Sequence, residues 1–307
     1  MTALLKSVTG LRVMVTGGAS GLGATTATQL LNRGARVLIV DVAESNPTTN
    51  AGFCRADITD ESGVASAMSV AEKQLGGLDA VVNCAGEGLA ARMYNWNNDT
   101  VFNQDDFRRL LQVNALGTFN VCRLAAQLMA KNQPAASAAR KDKKAAKKAA
   151  AATDAAQRGV IVNTSSLSAF DGQATQTMYS ASKAAVAAMT LPLSRDLAPL
   201  GIRVCCIAPG YFDSPMCVRD SYPPRVLKFL ADHNRAIYRL GRPTEFADAV
   251  EMILLNPMLN GVCLRLDSAS RGFFYHRRQK AVPLVARDAP ATVEDSGAGD
   301  TTAEVAQ

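Results

Sequence analysis

Apolar residues enter this chain in short continuous runs, and amphipathic stretches separate them. The runs cover residues 13–15, 37–40, 80–82, 160–162, 204–207 and 262–266, with a weaker one at 52–55. They are mostly rich in Val and Ile and too short for helices, so they predict strands covered on both faces. Between them, residues 22–33, 63–75, 105–130, 181–197 and 245–255 read as helices. Strands that alternate with helices predict an α/β fold, a parallel sheet doubly wound by right-handed crossovers. The expected architecture is a single Rossmann-type domain over residues 1–272.

Two stretches break the pattern. Pro134 ends one helix, and residues 135–157 are almost purely Ala, Lys and Arg. They lack an apolar stripe to dock, which predicts a solvated, partly helical insertion. The insertion joins a helix to a strand, so it belongs at the end of the sheet opposite the strand C-termini. A sharper reading makes it a docking patch for an anionic partner such as RNA or membrane phosphate. Beyond Gly272, Phe273, Phe274 and Tyr275 can still pack on the body. From Asp288 onward Pro, Asp, Ala, Gly and Thr dominate without periodicity, so residues 273–307 are expected to end in a disordered tail.

Composition narrows the function classes. The net charge of +6 is local, since residues 135–158 alone carry +5. The body is nearly neutral and makes no case for a general nucleic-acid surface. Seven cysteines, an odd number without a C-x-x-C, read as small buried thiols in a reducing compartment. Two histidines argue against a multi-His metal site and a Ser-His-Asp hydrolase. No metal is expected. No apolar run is long enough to predict a transmembrane helix. Residues 1–12 lack a secretory h-region and are too short for an Arg-rich transit peptide.

The candidate chemistry lies at the predicted strand ends. Gly17, Gly21 and Gly23 follow the first strand and open the first helix, with Ser20 and Leu22 between them. That placement suits a tight turn, close backbone approach to a pyrophosphate, and a helix N-terminus facing phosphate. Asp41 ends the second strand, where a carboxylate accepts bonds from ribose hydroxyls and repels a 2′-phosphate, favouring NAD over NADP. Asn83, Ala85 and Gly86 close the fourth strand. The small residues let the chain pass under a flat ligand, and the Asn can tie neighbouring strands together. Asn114 lies inside the predicted helix 105–130, where it is either exposed or in need of a hydrogen-bond partner. Ser166 ends a strand thirteen residues before Tyr179. Pro209 and Gly210 give a sharp turn after the sixth strand. Tyr179 and Lys183 fall one helical turn apart, and an ammonium beside a phenol favours the phenolate. A tyrosine tuned this way exchanges a proton with an alcohol or a carbonyl.

Together the T-G-G-x-x-G-x-G loop, N-C-A-G, N-A-L-G-T-F-N, the Ser-to-Tyr spacing, Y-S-A-S-K and A-P-G resemble the short-chain dehydrogenase/reductase family, from about Ser7 to Arg271. The resemblance implies that Tyr179 is the general acid/base and that Lys183 lowers its pKa and holds the nicotinamide ribose. It implies that Ser166 polarises the substrate oxygen and that Asn114 anchors a proton-relay water. Asp57 and Ile58 match the position that contacts adenine, and Ala85, Gly86 and Pro209 would line the cofactor. Ser214 stands where relatives have Thr near the carboxamide, and Ser268 where they have Gly. Gln173 joins Ser166 and Tyr179 as a substrate residue. Strings such as Arg195-Asp196-Leu197-Ala198-Pro199 and Asn256-Pro257-Met258-Leu259-Asn260-Gly261 are similar to members that oxidise 3-hydroxyacyl-CoA and hydroxysteroids with NAD. The resemblance further implies a homotetramer, a mitochondrial location, and a scaffold role in mitochondrial RNA processing. A 3-oxoacyl reductase of the same family is the alternative enzyme. Residues 211–235 are expected to form the substrate lid.

Overall fold

The computed structural model describes residues 7–46, 48–132, 157–218, 224–234 and 237–271. They fall within one compact unit, Met1–Gly272. The basic insertion apart from Gln157, and the tail, lie outside the described residues.

Seven strands form one sheet in the order β3-β2-β1-β4-β7-β8-β9, every neighbouring pair parallel. They are β1 Arg12–Thr16, β2 Arg36–Asp41, β3 Gly52–Arg55, β4 Ala80–Asn83, β7 Gly159–Thr164, β8 Ile202–Pro209 and β9 Cys263–Leu266. The predicted strands are all present. β5 Tyr94–Asn95 and β6 Thr100–Val101 make a separate antiparallel ribbon that no sequence run announced.

Alternation along each strand divides the core. Val13, Val15, Val37, Ile39, Val160 and Val162 pack on one face with Leu30 of α1 (Gly21–Asn32) and Phe246 of α8 (Pro243–Leu255). Met14, Leu38, Val81 and Ile161 pack on the other with Val64 of α2 (Glu61–Leu75) and Val121 of α4 (Thr118–Ala130). Both residues of each alternating pair are therefore apolar, which is why the strands read as continuous runs. Leu30, Phe246 and Ile253 are almost wholly buried. Each such side chain is worth roughly 1.5–3 kcal/mol, so packing rather than propensity holds these helices.

The expected continuous helix 105–130 is corrected. α3 (Gln104–Leu111) passes through a π-helical turn, Gln112–Gly117, before α4 begins. Asn114 lies within the widened turn and is fully buried. Its amide nitrogen donates to Glu87 O and to Ser182 Oγ, both at 2.9 Å. α5 (Thr177–Leu197) starts four residues before the expected helix. The stretch expected as a lid carries α6 (Pro215–Val218) and α7 (Pro224–His233).

Candidate active site

The chain runs outward from β1 through β2 to β3, then returns to β4 on the other side of β1. That reversal opens a crevice at the strand C-termini, the usual ligand site of such sheets. A cavity of about 600 Å³ occupies it.

The glycine turn forms one wall. Gly17 and Gly21 have φ of 65° and 53°, a conformation that glycine adopts without strain. A methyl on Gly17 would sit 2.5 Å from the Ala85 nitrogen, and one on Gly23 would overlap the Gly17 carbonyl. Ser20 is the N-cap of α1, yet its hydroxyl makes no capping bond, and the first turn carries no acid. The helix end is thus left to an outside anion. Ser20, Leu22 and Gly23 line the cavity. Asp41 closes β2, its carboxylate accepting Ala19 N–H at 2.9 Å and Ala43 N–H at 3.0 Å. Asp57 and Ile58 line the same end. Across the crevice, Pro215 Cδ lies 3.4 Å from where Gly21 would carry a methyl, so Ser214 and α6 face the glycine turn.

The other end holds the ionisable groups. Lys183 is 4% exposed and donates from Nζ to Thr164 O at 3.1 Å. Burial pushes its pKa down from the ordinary 10.5 to about 8. Its ammonium lies 5.9 Å from the centroid of the Tyr179 ring. Ser166 Oγ accepts the Ser168 N–H at 3.1 Å. Having spent one lone pair there, the hydroxyl still has a proton to donate. Ser166, Tyr179, Lys183, Pro209 and Gly210 all border the cavity. Cys84 borders it too, but burial pushes its thiol up to about 12, which leaves no thiolate nucleophile at neutral pH.

Three predicted residues stand apart. Asn83 is buried in the sheet, donating to Asn163 Oδ1 at 2.9 Å and accepting from Thr16 Oγ1 at 3.3 Å. It ties strands together and does not border the cavity. Asn114 is one layer back, behind Gly86, whose added methyl would meet Asn114 Oδ1 at 2.9 Å and Lys183 Nζ at 3.1 Å. Its side-chain oxygen also accepts Glu87 N–H at 2.8 Å, so the amide is committed to protein partners. Gln173 lies outside the lining, with its amide donating to the Tyr211 hydroxyl.

Sequence reasoning missed Ser182 and Thr164. Ser182 Oγ donates to Tyr179 O at 2.8 Å while it receives the Asn114 amide, so one hydroxyl locks the π turn to α5. The available signal was its place three residues after Tyr179, on the same helix face. Thr164 acts through its carbonyl, and no side-chain pattern marks that.

The match to known proteins settles the class. A family model described as short chain dehydrogenase matches residues 12–137 and 144–222. The chain belongs to the short chain dehydrogenase family. As a member it is an oxidoreductase with a nicotinamide dinucleotide cofactor. The glycine turn, the free helix end and the Asp41 carboxylate fit that group. This dehydrogenase is 42% identical over 278 residues to 3-hydroxyacyl-CoA dehydrogenase type-2 of Rattus norvegicus, covering 88% of this chain and 99% of the relative. A crystal structure of 3-hydroxyacyl-CoA dehydrogenase type-2 from Mycobacterium avium is 33% identical, with a TM-score of 0.73 over 85% of this chain and 96% of that one. A 3-ketoacyl-(acyl-carrier-protein) reductase from Brucella melitensis, solved with NADH, shares the fold at 23% identity, with a TM-score of 0.70 over 86% and 99% of the two chains. No helix among the described residues is long and apolar enough to cross a membrane.

Proposed function

We propose that the chain oxidises the secondary alcohol of a (S)-3-hydroxyacyl-CoA to the 3-oxoacyl-CoA, using NAD, and accepts hydroxysteroids as further substrates. The observation that carries this reading is one cavity bordered by Tyr179, Lys183 and Ser166 at one end and Asp41 at the other, in a chain 42% identical to a dehydrogenase of that name. The bound nicotinamide ring supplies the acceptor for the hydride. Ser166 donates its hydroxyl proton to the substrate oxygen and fixes the alcohol. Tyr179 takes the alcohol proton, and the ammonium of Lys183 favours the phenolate that this requires. Lys183, in the same cavity lining, would also hold the nicotinamide ribose. With the Asn114 amide committed elsewhere, its relay water is assigned to the main-chain carbonyl. Ala85, Gly86, Pro209, Gly210 and Ser214 are assigned to the cofactor, and Asp57 and Ile58 to its adenine. Gln173 is assigned to the substrate, since its bond to Tyr211 uses one amide N–H and leaves the other.

NAD is preferred because the Asp41 carboxylate, held by two N–H groups, repels a 2′-phosphate. The same reading includes a homotetramer in the mitochondrion, with residues 1–272 as the catalytic unit. Sedimentation and cell fractionation check the last two points.

Steady-state kinetics over 3-hydroxyacyl-CoA chain lengths and a steroid panel, with both nicotinamides, test the reading. The expected result is turnover on the thioesters with NAD and poor use of NADP. In Asp41→Ala the preference should fall by about tenfold or more, as loss of one charge repulsion implies. Failure to oxidise any hydroxyacyl-CoA would remove the substrate assignment. An unchanged preference in the variant would remove Asp41 from the choice of cofactor.

A further inference from the structure

At the substrate end the cavity opens beside a surface that the chemistry above leaves unused. The lining residues Gly88, Leu89 and Ala90 run directly into the ribbon of β5 and β6. Ala91 N–H donates to Thr175 O at 2.7 Å, which ties this run to the loop before Tyr179. Phe102 N–H donates to Met93 O at 2.9 Å and closes the base of the ribbon. The ribbon is therefore held beside the end where the alcohol reacts. Asp41 lies on β2, on the other side of the chain reversal.

The ribbon is too small to have a core, yet it exposes four large apolar side chains. Met93, Tyr94, Trp96 and Val101 are 60%, 49%, 65% and 79% exposed. Trp96 is the one tryptophan of the chain. The Arg92 guanidinium lies over its ring, 4.1 Å from the centroid. Among the described residues no carboxylate is within ion-pair distance of Arg92, whereas Arg108 and Arg109 are matched by Asp105, Asp106 and Glu87. Asp99 accepts the Tyr94 hydroxyl at 3.0 Å. A guanidinium stacked on an indole holds both planes ready. It leaves an aromatic face for a base and a cation for phosphate.

We infer that Arg92 and Trp96 dock the 3′-phosphorylated adenine nucleotide of coenzyme A, the far end of the substrate whose alcohol meets Tyr179. The inference rests on the acyl-CoA reading above. Ala90, in the cavity wall, is six residues from Trp96. That is at most about 20 Å of extended chain, within the span of a pantetheine arm. A steroid alcohol has no nucleotide and bypasses the dock.

The test compares a 3-hydroxyacyl-CoA with the N-acetylcysteamine thioester of the same acyl group, which keeps the reacting end and lacks the nucleotide. Trp96→Ala should lower kcat/KM for the CoA ester about tenfold, mainly through KM, with the truncated thioester as the unaffected reference. Trp96→Phe, which keeps a ring, should recover most of the loss. Adenosine 3′,5′-bisphosphate should quench the Trp96 fluorescence saturably, and less so in Arg92→Met. An equal loss on both thioesters, no loss on either, or a shift in sedimentation in place of the kinetic difference would overturn the dock. If the wild type oxidises neither thioester, the acyl-CoA reading itself fails. If it oxidises both without discrimination by Trp96, only the dock fails.

Discussion

The two ends of the cavity are built by different means. At the cofactor end, left-handed backbone falls on Gly17 and Gly21, residues that adopt it freely. At the substrate end it falls on Thr175, φ 74°, where a β-branched side chain makes it costly. The cofactor end is framed by strand termini and backbone N–H groups. Beside the main-chain bond from Ala91 to Thr175, the substrate end is held by side chains: Gln173 on Tyr211, Ser168 on Gln176 at 2.8 Å, and Arg265 on Asp171. A dinucleotide asks every such fold for the same close backbone approach, so glycine is dictated. A loop tied by replaceable side-chain bonds can be reshaped for a new alcohol while the frame stays intact.

The hardest test of this division is Tyr179→Phe, which removes one oxygen from the chemistry and nothing from the cofactor frame. Turnover should fall by roughly 10³-fold, the scale of lost acid–base catalysis. NAD affinity and the circular dichroism spectrum should hold. A matching loss of NAD affinity would mean that the two ends are not separable, and near-normal turnover would remove Tyr179 from the mechanism.

Lys183 belongs to both ends, so Lys183→Met sharpens the boundary. Turnover should drop by about 10²-fold. Stability should move the other way. In the folded chain the Lys183 pKa is depressed to about 8 from 10.5, so burying the ammonium destabilises the fold at every pH below about 8. The penalty is relieved as pH rises from about 8 to about 10.5, because the unfolded chain then binds more protons than the folded one. Without cofactor, the variant should therefore melt roughly 4–8 °C higher at pH 7, and the gain should shrink toward pH 10. A variant that melts lower at pH 7 would show the Thr164 bond outweighing the burial cost.

What the sequence disclosed follows the same line. Strand ends and the glycine turn were legible because a backbone requirement selects a residue type. The convergence of Asp41, Tyr179 and Lys183 on one cavity was legible because their spacing ties them to strand ends and one helix face. The π turn at Asn114 was not, since it depends on Glu87 and Ser182, distant in sequence and gathered only by packing. Asn83 was legible as a strand tie, because a buried amide at a strand end needs partners and its neighbours there are the adjoining strands. The β5–β6 ribbon was silent, since two-residue strands carry no periodicity.

Thr175 gives the smallest expected effect and tests whether the substrate end stores strain. Its carbonyl accepts Ala91 N–H, which fixes the loop in the left-handed conformation. Thr175→Gly keeps that carbonyl and removes the side-chain clash, worth about 1–2 kcal/mol in this region. The added freedom of glycine in the unfolded chain offsets roughly 0.5–1 kcal/mol of this. The net gain should be about 1 kcal/mol, seen as a rise of roughly 2–4 °C in Tm. A fall in Tm would mean that the loop relaxes out of this conformation in solution, and the contrast between the two ends would then rest on the side-chain ties alone.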